Sequence, residues 1–336
     1  MKTFSKYSLH ILIWCIAVIG LSSCEHKDLC YDHVTKVKAR IDVDWSLFTQ
    51  ETPTGMSVML YSLDDDDRST TPLSNDISHA EVNVYPGAYF AMVFNQSVNE
   101  FGSLGFVNID DRNNAAVYAA ERTSKWYKTQ STQERVVQNP EWFAVGTQAL
   151  VKVSDDDIRK HTSTGLRSVI ATITPRCVVY TIHVKIHVKN AYNIRSARAT
   201  LNGLADGYQL CKMLPSPTVA TQIIDEWTLI PDDGNPANGT LYATITSFGL
   251  PYGHRNVADA NHLDLSLLLV DGKTQCHCDF AVGDAFKPGE NAELSLTLDE
   301  SIAEPIPDVK PEGGSSSGFD VTVRDWDDGA DIDINA

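Results

Sequence analysis

The sequence predicts an all-β protein made of two antiparallel sandwich domains in tandem, and three observations carry that reading. Apolar residues recur with a period of two, Gly-, Asn- and Pro-rich turns separate the runs, and no helical pattern alternates with them. The length of 336 residues suits two domains, each able to bury its own core. A hydrophobic content of 43% and a charged content of 21% describe a globular chain and exclude a largely disordered, collagenous or polytopic membrane protein. The 44 acids outnumber the 27 bases, for a net charge of −17, so there is no cation excess to displace counterions from a nucleic acid.

The N-terminus reads as an export signal over residues 1–23. Lys2 and Lys6 precede the apolar run Ile11 to Leu21, which rises about 16 Å as a helix, half of a bilayer core of about 30 Å. Leu21-Ser22-Ser23-Cys24 fits a bacterial lipobox, which marks Cys24 as the residue acylated after cleavage. Removing residues 1–23 takes away two lysines and no acid, so the charge moves from −17 to −19. An acidic body is repelled by anionic lipid, and membrane attachment must come from the acyl chains. Residues 24–33 are polar and form a short tether.

The N-terminal sandwich is expected over 34–153. Val37, Ala39, Ile41, Val43 and Trp45 share one face of a first strand, with Lys38, Arg40, Asp42 and Asp44 on the other. A second strand, Met56 to Leu63, runs into Asp64 to Asp67, a solvated hairpin tip without the spaced ligands of a calcium loop. Ala80 to Asn95 reads as a hairpin turning at Pro86-Gly87, and its second arm is apolar on both faces, as in a central strand covered on two sides. Asn114 to Trp126 suggests a short helix, and Trp142 to Val153 returns to strand-like sequence. The polar span Ser154 to Gly165 is the expected boundary.

The C-terminal sandwich is expected over 166–300. Cys177 to Lys189 alternates Val178, Tyr180, Ile182, Val184, Ile186 and Val188 against His183, Lys185, His187 and Lys189. Two histidines four residues apart on a strand stand about 13 Å apart, too far to share one ion. Further strands are predicted at Ala197 to Leu204, Asp225 to Ile230, Thr240 to Phe248, Leu263 to Leu269, Cys276 to Val282 and Ala292 to Leu298.

A search for chemistry returns little. There is no H-E-x-x-H, G-x-S-x-G, P-loop or helix-opening G-x-G-x-x-G, so no catalytic residue, cofactor or metal site is assigned and no enzyme is expected. Cys276-His277-Cys278 places both thiols on one strand face and His277 on the other, which favours packing or a disulfide over zinc. The mature chain also holds Cys30, Cys177 and Cys211, an odd five besides Cys24, so at least one is unpaired or pairs between chains. The mixture from His254 through Asp259 to His262 reads as a surface turn.

Residues 301–318 read as a linker, with Pro305, Pro307 and Pro311 ahead of Gly-Gly-Ser-Ser-Ser-Gly. Alternation resumes over 319–336, where Phe319, Val321, Val323, Trp326, Ile332 and Ile334 form a candidate partner strand. Such a strand either folds back onto its own second domain or adds to the exposed edge of a partner.

The opening CEHKDLCYDH at 24–33, Asp44-Trp45, YPGAY at 85–89 and GFDVTVRDW at 318–326 resemble an uncharacterised family of Bacteroidetes lipoproteins, similar in architecture to fimbrillin-like proteins and lipid-anchored minor fimbrial subunits. The resemblance implies transthyretin-like folds for both sandwiches, outer-membrane export with surface exposure, and a role as fimbrial anchor, minor subunit or adhesin, with fimbrial subunits or other surface proteins as partners. No Arg-containing processing site lies between Cys24 and the first strand, which suits a non-polymerising anchor better than a shaft subunit. The alternative is a glycan- or protein-binding surface lipoprotein of a nutrient-uptake system, for which Trp126, Tyr127 and Trp142 converging in one groove would be the mark.

Overall fold

The computed structural model describes residues 36–49, 51–64, 69–70, 73–129, 131, 133–154, 156–157, 168–254, 257–286, 295–311 and 331–334. The expected signal peptide, the tether with Cys24, and Phe319, Val321, Val323 and Trp326 lie outside these residues. The first half of the chain contributes β1 (Val37–Val43), β2 (Met56–Ser62), β3 (Ser69–Thr70), β4 (Leu73–Ser74), β5 (His79–Val84), β6 (Gly87–Asn95), β7 (Leu104–Val107), β8 (Ala116–Ala119), β9 (Val136–Val137) and β10 (Ala144–Val153). Then come β11 (Ser168–Ile173), β12 (Arg176–Cys177), β13 (Tyr180–Val188), β14 (Ile194–Ala205), β15 (Gly207–Gln209), β16 (Leu214–Pro215) and β17 (Val219–Ile224). The last are β18 (Thr228–Asp232), β19 (Asn235–Ser247), β20 (His262–Leu269), β21 (Gln275–Ala281), β22 (Ser295–Ser301) and β23 (Asp331–Asp333).

The alternation of β1 is realised. Val37, Ala39, Ile41 and Val43 are buried, and the strand stops where the Asp44 carboxylate accepts from the Ser46 amide at 2.9 Å. The Trp45 indole then donates to the Ile77 carbonyl at 2.7 Å. β1 lies between β11 and β5 in a three-stranded cover sheet. That sheet packs through Val37, Ile41, Val82 and Ile173 on Val58, Leu60, Ala91 and Val93 of a spine sheet ordered β12-β10-β6-β2-β3, with β4 also on β2. β2 and β3 form the hairpin expected around the acidic stretch, and the Asp64 carboxylate there accepts from the Ala88 amide at 2.9 Å.

Two local readings are corrected. Ala80 to Asn95 is no hairpin: β5 pairs with β1 in the cover sheet while β6 pairs with β2 and β10 in the spine sheet, so Pro86-Gly87 turns a corner between layers. A strand apolar on both faces belongs in mid-sheet, whereas β5, with Glu81 and Asn83 exposed, suits a one-sided cover. The helix expected within 114–126 is a strand, β8, with Ala116, Val117 and Ala119 buried.

The second sandwich faces a sheet ordered β18-β19-β13-β22 against a tail sheet ordered β23-β21-β20-β14-β17-β9. Ile182, Val184, Ile186 and Val188 of β13 are buried in its core with Trp227, Leu241, Leu265 and Leu298. The opposite face of β13 is polar as expected, His183 and His187 meeting the Thr244 and Thr240 hydroxyls at 3.2 and 2.9 Å. Pairing is antiparallel throughout the interior; parallel pairs bring in β11, β22, β9 and β23.

The boundary expected at Ser154 to Gly165 moves. β11 and β12 follow it in sequence yet pair with β1 and β10, so the first sandwich runs on to Cys177. The halves are also joined by a bridging sheet ordered β16-β15-β8-β7, with two strands from each side of the old boundary. A third core fills the joint, where Phe90, Met92 and Phe94 of β6 meet Phe143, Val117, Tyr208 and Phe248. Gly207 is needed at the β8–β15 seam, because a Cβ there would stand 2.3 Å from the Val117 carbonyl oxygen. Beside it Asp206, 1% exposed, pairs with Arg135, and its carbonyl accepts from the Ala119 amide at 2.9 Å. The residues expected to open the linker lie on the second core instead: Ile302 and Ile306 are buried, with their amides donating to the His187 and Lys189 carbonyls at 3.0 Å each.

Two outcomes follow from this joint. Arg135→Ala leaves the Asp206 carboxylate buried without its cation and is expected to cost about 3–5 kcal/mol, a fall of roughly 10 °C in melting temperature. Calorimetry of the pure variant measures it. A protease recognition sequence inserted between Asp157 and Ser168 is expected to nick the chain without parting it. Fragments that co-elute in native buffer and separate only in denaturant are the predicted result; separate elution in native buffer would restore the earlier boundary.

Candidate assembly site at the tail-sheet edge

The C-terminal strand meets its sheet at β21. The sequence of β21, Gln-Cys-His-Cys-Asp-Phe-Ala, alternates buried Cys276, Cys278 and Phe280 with His277 and Asp279 on the outward face. One side of β21 pairs antiparallel with β20, and the other pairs in parallel with β23, in the register Gln275 to Asp331, Cys276 to Ile332 and His277 to Asp333. The Ile334 amide extends this ladder by donating to the His277 carbonyl at 2.8 Å. Ile334 is 7% exposed and belongs to the second core, with Ile332 packed against it. Both isoleucines therefore face inward, the side their alternation requires.

The other edge of the tail sheet is closed in the same way. β9, two residues from the first half of the chain, pairs in parallel with β17. Four long antiparallel strands thus carry a short parallel strand at each side, which shields edges that would otherwise template foreign strands. The β23 cap is a three-residue ladder with one deeply buried anchor, whose burial is worth about 1.5–3 kcal/mol. Ahead of it the chain is pinned at Asp308, which accepts from the Tyr192 hydroxyl at 2.8 Å and from the Asn193 side-chain Nδ2 at 2.9 Å. Residues 312–330 join that anchor point to β23.

The cysteine reading can now be placed. Cys276 and Cys278 point into the core as free thiols, and burial pushes them up to about 11 and about 12, so both are protonated packing groups. His277 faces outward and shares a 2.9 Å hydrogen bond with Ser266. Its neighbours form a small charged cluster, in which His262 meets Asp279 at 2.9 Å and Asp264 lies directly across from Asp279. Burial, with Asp279 second, holds the Asp264 carboxyl above the usual range. His262 thus belongs to the sheet face, while Asp259 sits in the preceding 3-10 turn.

The aromatic groove does not form as a trio. Trp126 and Tyr127 stand together, ring centroids 5.8 Å apart, while Trp142 packs edge-on against Phe48 at 5.3 Å in a separate cluster with Trp45. Residues around Trp126 that the sequence did not single out, among them Arg122, Glu134 and Arg135, find their partners at Asp225, Thr221 and Asp206. Those partners lie 71 to 103 positions away, and no local pattern marks them. No helix among the described residues is long and apolar enough to cross a membrane.

Two joined all-β sandwiches define a class of architecture shared with a solved structure from Bacteroides ovatus, described as an adhesin candidate. That likeness has a TM-score of 0.54 at 16% identity and covers 85% of this chain and 99% of the other. The chain itself belongs to the family described as Domain of unknown function (DUF5119), whose model matches residues 23–225. Also similar are a second adhesin candidate from Bacteroides ovatus, with a TM-score of 0.48 and 8% identity over 80% of this chain and 90% of that one, and the fimbrial anchor protein Mfa2 from Porphyromonas gingivalis. For Mfa2 the TM-score is 0.43, with 9% identity over 80% of this chain and 90% of that one. No curated protein matches the chain.

The charged cluster beside the edge yields a pH signature. An acid whose folded pKa is raised holds its proton more tightly folded than unfolded, so its contribution declines as pH rises through the window between the ordinary aspartate value near 4 and the folded value. Asp264→Asn removes that decline. The variant is expected to melt above the wild type at pH 7 and to lose the advantage at pH 3.5, a comparison that differential scanning fluorimetry makes directly.

Proposed function

We propose that this protein is a lipid-anchored surface protein of the bacterial outer membrane, held through Cys24, that serves as a fimbrial anchor, minor subunit or adhesin by strand-mediated contacts. The observation that carries the reading is the β23 cap. It is short, parallel, anchored mainly by Ile334, and joined to the body through residues 312–330. A strand so placed can leave its own edge and be replaced by, or dock as, the strand of another subunit, with main-chain hydrogen bonds for affinity and alternate side chains for selectivity. The lipobox at Leu21 to Cys24 supports membrane attachment, and the likeness to an adhesin candidate agrees with a surface role without catalysis.

The test has two arms. A chain ending at Pro311 is expected to stay folded with a melting temperature lowered by several degrees, and a synthetic peptide of residues 319–336 added in trans should restore it. Failure of the peptide to restore stability, together with unchanged recovery of partner subunits by the truncated chain, would remove the strand-contact reading. Cys24→Ala should abolish incorporation of a labelled fatty acid, and continued labelling would refute the anchor.

A further inference from the structure

The described residues between Glu121 and Val136, all but 130 and 132, are fixed beside β17 by the Arg122 amide, which donates to the Val136 carbonyl at 2.9 Å, and by the Thr221 amide, which donates to the Arg135 carbonyl at 2.8 Å. They enclose an open cavity of about 580 Å³, within the usual size of small-molecule sites. The lining is polar: Arg122, Tyr127, Lys128, Gln133, Glu134 and Arg135 supply most of its chemistry, and Val136 is its one aliphatic residue.

Arg122, Arg135, Glu134 and Tyr127 are held by partners behind them. The Arg122 guanidinium lies against Asp225 and donates to the Ile223 carbonyl at 3.2 Å, and Arg135 pairs with Asp206 and stands 3.6 Å from Glu121. Glu134 accepts from the Tyr127 hydroxyl at 2.6 Å and the Thr221 hydroxyl at 2.7 Å. Behind Tyr127 the Trp126 indole donates to Asp225 at 3.1 Å, and its ring carries the Arg198 guanidinium at 4.4 Å. The cost of ordering these four side chains is thus met before a ligand arrives.

The chemistry discriminates between ligand classes. A phosphate calls for several converging uncompensated cations, yet both guanidinium groups already face carboxylates and Lys128 is the one further cation in the lining. An apolar ligand calls for mainly apolar walls, whereas more than half of this lining is polar. What remains is a ring of oriented donors and acceptors beside one aromatic ring, complementary to a molecule whose every hydroxyl both donates and accepts and whose C–H face can lie on tyrosine.

We infer that this cavity is a carbohydrate subsite that takes a neutral sugar unit of an oligosaccharide. It lies at the edge of the tail sheet opposite β23 and goes beyond the assembly role, standing whether or not the terminal strand exchanges. The test applies the full-length protein in detergent to an array carrying neutral, sialylated and sulfated glycans of mammalian and bacterial origin, with titration of the best ligands. Retention of a restricted set of neutral glycans is expected, with at least a tenfold loss of affinity in Tyr127→Ala. Because Tyr127 also supports the loop, the double variant Lys128→Ala, Gln133→Ala at the exposed rim is measured too. It should lose binding while its melting temperature stays within about 2 °C of the wild type. The two origins on the array distinguish a host glycan from a bacterial one, and either supports the site. Retention of no neutral glycan, retention confined to acidic glycans, or unchanged affinity in the rim variant overturns it.

Discussion

Strand β6 sets the terms for the whole molecule. Tyr89, Ala91 and Val93 face the first core while Phe90, Met92 and Phe94 face the third, so the strand is apolar on both sides. A sheet with such a strand at its centre must be covered twice. The cover sheet of β11, β1 and β5 takes one face. The other falls to the bridging sheet and to Val178, Tyr208 and Phe248 from the second half, so the two sandwiches share a core and are not beads on a thread. Aromatic contacts among Phe94, Phe101, Phe106 and Phe143, with centroids 5.4 to 5.9 Å apart, fill that joint.

The joint has a polar counterpart in Arg135 and Asp206. A carboxylate removed from water is tolerated because a cation from the other half of the chain meets it. The same stretch that delivers Arg135 also delivers β9 to the tail sheet and forms the floor of the polar cavity. One long connection from the first sandwich therefore staples the second, closes its edge and shapes a surface concavity.

Edge closure follows a common logic in the tail sheet. Long antiparallel strands hold the core, and short parallel additions at β9 and β23 occupy the sides. β9 is flanked on both sides by chain tied into the joint, whereas β23 stands near the end of the sequence with a single deeply buried side chain. Loss of the Ile334 anchor, about 1.5–3 kcal/mol, costs less than truncation of a β6 phenylalanine to alanine, about 3–5 kcal/mol. This difference in energy separates the strands that hold the cores from the short strand at the side of the tail sheet.

Period-two alternation in β1, β13 and β21, and the doubly apolar arm at β6, were legible from residue order, because which face a side chain takes depends only on its neighbours along the strand. The all-β class and the inward Cys276 and Cys278 followed from the same rule, and the lipid anchor expected at Cys24 rests on sequence. Pairing was not legible. Pro86-Gly87 marks a reversal equally well in a hairpin or at a corner between sheets, and a polar span such as Ser154 to Gly165 reads the same between domains or within one. Tertiary structure alone decided that β11 returns to β1, that β8 joins β15, that Arg122 finds Asp225 and that Ile334 completes the second core, because each depends on contacts between residues tens to hundreds of positions apart, which no local pattern records.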